Sequence, residues 1–482
     1  MRFRQILRLI GILNVFLGLF MLAPLVVSLI YADGSFLPIL YSFVITSGGG
    51  LLLFLVTGTA DYTALSQREG IAVVTFGWLS AGFFGSLPFL FSGSIGSLTD
   101  AFFESLSGFT TTGASILNSI ESLPQGVLFW RGLTQWLGGM GIIVFSIAIL
   151  PFLGVGGMQL YKAEIPSPVV DKLQPRISET AKTLWKVYLL ITIIEIGLLF
   201  IGGMSLFDSI CHTFCTMPTG GFSTHGASIA YFDSAYFEGV ITVFMLLAGV
   251  NFALHFKFLK GDLRVFSRDP ECRVFLFLLA ALIILVTANI YGTVYQSIGG
   301  AFRRAAFQVT SIITTTGFVT ADYETWPALS QIILFLCMFI GAMAGSTGGA
   351  IKIMRIVLLA KYGFREIFRL VHPHAVKSIR LGGKPVPEEV LNSIGGFFIL
   401  YMGLYVVAVL IMSFLGLDVM TSLGSVAATM GNVGPGFGLV GPVKNYFSVP
   451  DVGKWVLSFC MLLGRLEIYT VIIMLAPAYW RK

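Results

Sequence analysis

Thr110-Thr111-Thr112-Gly113, Met217-Pro218-Thr219-Gly220, Thr314-Thr315-Thr316-Gly317 and Gly431-Asn432-Val433-Gly434 interrupt apolar sequence four times, each at the same place in a recurring unit. The units repeat at roughly hundred-residue intervals. Inside a membrane span, such a segment exposes backbone carbonyls that hydrocarbon does not tolerate unless they line a polar cavity. Four in one chain imply a ring of carbonyls about one axis, and such a ring replaces the hydration shell of a monovalent cation.

The thirteen residues that end at each glycine are AFFESLSGFTTTG, DSICHTFCTMPTG, AAFQVTSIITTTG and SLGSVAATMGNVG. Each reads as a short, small-residue-rich helix running into the segment. A helix of about ten to fourteen residues is too short to cross a bilayer and fits a re-entrant element. Its C-terminal end would point at the axis, where the macrodipole favours a cation. The expected ligands are the carbonyls of Thr111, Thr112 and Gly113, then Thr219 and Gly220, then Thr315, Thr316 and Gly317, then Asn432, Val433 and Gly434. The four quarters are unequal, which implies a filter without strict fourfold symmetry.

The chain around these segments is 56% hydrophobic and 11% charged over its full length. A soluble domain carries about 25% charged residues, so this is a membrane protein. Two apolar helices lie within residues 1–60, and the rest divides into four helix–pore-loop–helix repeats over 71–153, 184–259, 274–360 and 393–482. The expected fold is an all-α integral membrane protein. Two leading helices and four units arranged pseudo-fourfold around one pore give ten transmembrane helices. Basic residues gather at Arg2–Arg8, Lys162–Lys186, Lys257–Arg273 and Lys352–Lys384, while the alternate loops carry acids. This positive-inside bias places both termini in the cytoplasm. The basic loops either only set topology or also dock a cytoplasmic partner. The net charge of +6 is therefore no sign of nucleic-acid binding.

Small residues also break the second helix of each unit, at Gly138–Gly141, Ala248–Asn251, Gly341–Gly349 and Gly464-Arg465. Close helix packing accounts for the first two. The third, with Gly345, Ser346, Thr347, Gly348 and Gly349, holds too many glycines for a stable helix. It reads as a movable barrier below the filter, with Lys352 just beyond it. Arg465 lies mid-helix, where charge is costly and defaults to a functional role. It is the candidate gate partner, and a packing pair with Glu467 is the competing reading. Glu195 is either a structural partner or a coupling-ion site. Glu104 could concentrate cations at the outer mouth, and Asp208 and Asp418 read first as helix N-caps.

No other chemistry stands out. His212 and His225 flank the second segment without a carboxylate set that would make a metal site, and His372 and His374 lie in a basic loop. The five cysteines read as buried free thiols. No nucleotide-binding loop and no enzymatic cluster is visible, and no covalently bound cofactor is expected.

The strings SGFTTTGAS, MPTGGFST, TTTGF and GNVGPGFG, together with GAMAGSTGGAIK, are similar to the four filter regions and the intramembrane loop of the TrkH family of bacterial potassium-uptake proteins. The resemblance covers nearly the whole chain, and the two leading helices favour this branch over the related KtrB branch. It implies K+ as the transported ion, held at the filter residues named above, and residence in the bacterial inner membrane. It further implies a homodimer of pores in lipid and a cytoplasmic TrkA-like nucleotide-binding regulatory ring. Arg465 falls where that family carries a pore-blocking arginine. A proton- or sodium-coupled potassium symporter using the same pore is the alternative, with Glu195 and Glu467 as the intramembrane candidates.

Overall fold

The computed structural model describes residues 1–58, 66–141, 177–373, 375 and 378–481, and the statements below concern those residues. Leaving helical turns of three to five residues unlabelled, the helices are α1 Phe3–Phe20, α2 Leu22–Tyr31, α3 Phe36–Val56, α4 Gln67–Gly85, α5 Leu98–Phe109, α6 Gln125–Met140, α7 Ile177–Ile201, α8 Leu206–Thr216, α9 Ala235–Gly249 and α10 Phe252–Leu259. They continue as α11 Pro270–Ile290, α12 Ile298–Ile313, α13 Ala328–Cys337, α14 Ile353–Val371, α15 Glu388–Phe414, α16 Val419–Met430, α17 Asp451–Arg465 and α18 Tyr469–Leu475. A two-residue hairpin, Arg380–Leu381 with Lys384–Pro385, precedes α15.

Among the described residues, 6 helices are long and apolar enough to cross a membrane, or 7 when α9 and α10, bent by 101°, count as one. Ten were expected. The difference has a physical cause, because helices expected to run through are interrupted. α6 stops at Gly141, where φ is +73°, and the expected continuation to 153 lies outside the described residues. α9 breaks at Val250-Asn251, α13 and α14 are parted by irregular chain, and α17 ends before Glu467, whose φ is +52°.

The four short helices α5, α8, α12 and α16 pack alike. Each contacts the long helix before it, namely α4, α7, α11 or α15, and the helix after it, namely α6, α9, α13 or α17. α6 also contacts α8, α9 contacts α12, and α17 returns to α5. The chain thus comes back on its own beginning. Ser97, Ser205, Ser297 and Asp418 start these helices, and the side chains of Ser205 and Asp418 accept the Asp208 and Thr421 amides at 3.0 and 3.1 Å. Asp418 is a cap, as its sequence context suggests. Asp208 is not; it sits in the first turn behind Ser205. α1 and α3 lie against each other through glycines, since a β-carbon on Gly50 would fall 2.6 Å from the Gly11 carbonyl oxygen. Small residues permit that approach.

Candidate functional site

All four short helices end in the same turn. Thr112, Gly220, Thr316 and Val433 donate their amides five residues back, to the carbonyls of Ser107, Cys215, Ser311 and Ala428 at 2.8–2.9 Å. The preceding residues, Thr111, Thr219, Thr315 and Asn432, are left-handed, with φ of 53°, 58°, 60° and 53°. This is a Schellman-type end, usually built on glycine. A β-branched residue there is strained by about 1–3 kcal/mol, and such strain persists where surrounding structure over-determines it. Two residues after the left-handed turn begins, Gly113, Gly221, Gly317 and Gly434 are left-handed again, at 79°, 76°, 81° and 96°.

These glycines establish the register. Matching the segments by their letters puts Gly220 opposite Gly113, but backbone geometry puts Gly221 there and Gly220 opposite Thr112. The tandem Gly220-Gly221 conceals the one-residue offset. Gly221, absent from the ligands expected from sequence, belongs with the other three.

The glycines also bring the segments together. A β-carbon on Gly113 would lie 2.1 Å from the Gly220 carbonyl oxygen, one on Gly221 2.0 Å from that of Thr316, one on Gly317 2.0 Å from that of Val433, and one on Gly434 2.6 Å from that of Thr112. First meets second, second meets third, third meets fourth, and fourth meets first. The contacts close a circle. Gly221→Ala is accordingly expected to lower cation preference by about tenfold or more, because left-handed backbone with a β-carbon costs about 1–2 kcal/mol and about 1.4 kcal/mol is a factor of ten. Competition of potassium and sodium against rubidium uptake measures it.

Side chains tie the circle to the surrounding helices. Thr110 pairs with Thr112 and Thr314 with Thr316, hydroxyl to hydroxyl at 2.8 Å. The Asn432 amide donates to Thr112 Oγ1 at 2.9 Å and to the Met461 carbonyl at 3.0 Å. Two carbonyls expected as ligands already accept hydrogen bonds: Gly220 from Gln135 Nε2 and Gly434 from Tyr446 Oη, both at 2.7 Å. A carbonyl oxygen has a second lone pair, so neither is disqualified.

The glycine-rich stretch lies against one side of the circle. Thr347 Oγ1 donates to the Met217 carbonyl at 3.0 Å, the Gly349 amide donates to Thr315 Oγ1 at 2.7 Å, and a β-carbon on Gly349 would meet the Gly431 carbonyl oxygen at 2.5 Å. Residues 341–351 are irregular, as the glycine content demands. Their supports are not legible in the sequence. Glu271, buried at the start of α11, accepts the Ala344 amide at 2.9 Å and the Met354 amide at 3.2 Å, one within the stretch and one just beyond it. Asn251 lies beside Gly345, and Phe252 donates its amide to the Gly345 carbonyl at 3.0 Å.

Arg465 reaches the same layer. It donates to the carbonyls of Thr347 at 2.9 Å and Gly139 at 3.0 Å, and to that of Gly138. Glu467 instead takes Arg355 of α14 as its partner, so the acid beside Arg465 in sequence is engaged elsewhere. The left-handed Glu467 breaks the helix and turns the two side chains apart. Lys352 donates to the Gly348 carbonyl, closing the stretch on itself. Gly138 and Gly139 are close-packing glycines as expected, their absent β-carbons facing the Phe109 carbonyl and Pro218.

Two expectations change with burial. Glu104 is fully buried and cannot attract cations at an outer mouth; it pairs with Arg131 at 2.7 Å and accepts the Ile116 amide at 2.9 Å. Glu104→Gln is expected to cost about 3–5 kcal/mol by stranding a buried guanidinium, read as a fall in melting temperature of the purified protein. Glu195 is fully buried beside Thr216, whose hydroxyl is donated to the His212 carbonyl at 2.8 Å. Its carboxyl oxygens have no hydrogen-bond partner among the described residues. A structural ion pair is therefore not what holds it there. His212 is also fully buried, bonded to Ser223 Oγ at 2.9 Å. Burial lowers the His225 pKa below the usual imidazole value against the opposing pull of Asp208 and Glu121. No group of three or more His, Cys, Asp or Glu among the described residues could hold a metal ion. All five cysteines are free and buried; His374 lies outside the described residues.

A cation-transport family model, TrkH, matches residues 40–482. The chain belongs to the TrkH family of cation transport proteins. It is 45% identical over 486 residues to the Trk system potassium uptake protein TrkH of Escherichia coli K12, covering 100% of both chains. It is 36% identical over 488 residues to the Trk system potassium uptake protein TrkG of the same organism, covering 99% of both. The crystal structure of the potassium transporter TrkH from Vibrio parahaemolyticus superposes with a TM-score of 0.90 at 42% identity, covering 100% of each chain. These relatives are named as transport proteins and not as enzymes.

Proposed function

We propose that this chain is the ion-conducting subunit of a potassium-uptake system of the bacterial inner membrane. The observation that carries the proposal is the closed circle in which each left-handed glycine abuts a carbonyl of the next segment. Carbonyls so arranged replace the hydration shell of a potassium ion. Thr111, Thr112, Gly113, Thr219, Gly220, Gly221, Thr315, Thr316, Gly317, Asn432, Val433 and Gly434 form the filter in this reading. The stretch 345–349 with Lys352 and Arg465 forms the gate. The broken helices are counted as spans, giving ten, with four pore repeats after two leading helices and both termini in the cytoplasm. A homodimer and a TrkA-like nucleotide-binding ring docked on the basic cytoplasmic loops complete the assembly; the relatives' names support a multi-component system.

The test is rubidium uptake into liposomes holding the purified full-length chain, with potassium, sodium and lithium as competitors. Uptake that follows the potassium gradient and yields to potassium before sodium or lithium is expected. Absence of ion-selective uptake would overturn the proposal. The unpartnered Glu195 carboxyl supports one second reading, proton-coupled symport. In that case uptake at a fixed potassium gradient would change with an imposed pH gradient, and Glu195→Gln would abolish the change.

A further inference from the structure

We infer that Gln135 sets the cation preference of the ring by clamping its second segment, an inference that rests on reading the four segments as a cation filter. The second segment is the weakest by sequence. Where the others carry Thr112-Gly113, Thr316-Gly317 and Val433-Gly434, it carries Gly220-Gly221. Two glycines in succession give the backbone the greatest freedom and no side chain to hold it. The hydroxyl pairs of the first and third segments involve Thr112 and Thr316, and Gly220 has no counterpart to them.

Gln135 supplies the missing restraint from α6. Its Nε2 donates to the Gly220 carbonyl at 2.7 Å and its Oε1 accepts the Phe222 amide at 3.1 Å, so one planar amide bridges the backbone on both sides of Gly221. The side chain is fully buried. It fills the volume a β-carbon on Gly220 would take, since that atom would lie 2.4 Å from the Gln135 Cδ. One helical turn earlier, Arg131 donates to the Ser223 carbonyl at 2.8 Å and lies 3.6 Å over the Phe222 ring, while Glu104 fixes its guanidinium. Residues at i and i+4 share a helix face. α6 therefore grips the second segment at successive points from 220 to 223.

Among the described residues, no side-chain donor reaches the corresponding carbonyls of Thr112, Thr316 or Val433. At this level of the ring, Gly220 is thus the one carbonyl among the described residues whose direction a side chain dictates. Without the amide, a Gly-Gly backbone can turn its carbonyl inward to meet a smaller cation, which relaxes discrimination against sodium. Gln135 is a positioning residue in this scheme: it acts through the Gly220 carbonyl and touches no ion.

The test uses the purified full-length protein in liposomes, with rubidium uptake competed by potassium and sodium. Gln135→Leu, similar in volume and lacking both amide bonds, is expected to lower the potassium-to-sodium preference by about tenfold. Leu133→Ala, a buried cavity on the same helix, is expected to reduce stability and leave the preference unchanged. Should Gln135→Leu fail to assemble, Gln135→Glu retains an acceptor for the Phe222 amide, loses the donor to Gly220, and is expected to lower the preference in the same direction. An unchanged preference in a folded Gln135 variant, alongside a changed one in Gly317→Ser, would overturn the clamp and leave the filter standing. Unchanged preference in both would remove the filter reading and the clamp with it. An equal change in Leu133→Ala would also overturn the clamp, because general loosening of α6 would then suffice.

Discussion

Arg465→Ala is expected to raise rubidium flux through the purified chain by about tenfold or more in liposomes without any partner protein. The guanidinium joins the Thr347 carbonyl of the glycine-rich stretch to the Gly138 and Gly139 carbonyls at the end of α6. Hydrogen bonds to a charged group contribute about 1.5–3 kcal/mol each. The stretch has little intrinsic preference for the position it holds, being rich in glycine and irregular over 341–351. Losing even about 1.4 kcal/mol from the restrained state multiplies the released population tenfold. In the proposed reading, a cation beneath the filter is removed at the same time, so the electrostatic barrier falls in the same direction. Arg465→Lys keeps the charge, loses the planar fork that reaches the three carbonyls, and is expected to give an intermediate flux. Flux in Arg465→Ala equal to that of the parent chain would dismiss the gate assignment.

Gly317→Ser is expected to abolish most of the preference for potassium over sodium while leaving the protein assembled. A serine β-carbon would lie 2.0 Å from the Val433 carbonyl oxygen and 2.9 Å from Pro435 Cδ, and the backbone φ of +81° is one that side chains rarely adopt. The obstructing oxygen is backbone, which cannot swing aside like the end of a flexible side chain. The third and fourth quarters must therefore move apart. A displaced ring no longer matches the size at which carbonyls replace potassium hydration, and a loss of about tenfold or more in the competition ratio is expected. Gly363→Ser is the control, since a β-carbon there meets nothing within 4 Å. If Gly317→Ser and the control give the same ratio, the circle of carbonyls does not select the ion.

Much of the site is legible in the amino-acid sequence. The Thr-Gly segments, the glycine-rich stretch and Arg465 are marked by composition, because glycine-rich backbone and charge are both expensive in hydrocarbon. The register of the second quarter is not. Gly220 and Gly221 are identical letters, and only the left-handed φ of Gly221 distinguishes them. Glu104, midway along α5, and Glu271, in the first turn of α11, carry no sign of their partners in the local sequence; one pairs with Arg131, the other holds two backbone amides, and both relations join residues distant in sequence. Gln135 carries no signal, since a single glutamine in an apolar helix has no periodicity or spacing to reveal it.

The solvent, the recurrence of four segments and the family can be read from the amino-acid letters, because hydropathy and local residue size survive without any knowledge of contacts. Which glycine faces which carbonyl, which partner Glu467 takes, and how the glycine-rich stretch is held become visible in the folded chain alone. Those are pairings between backbone atoms and distant side chains. Backbone atoms are the same in every residue, so no letter in the chain records where their hydrogen bonds go.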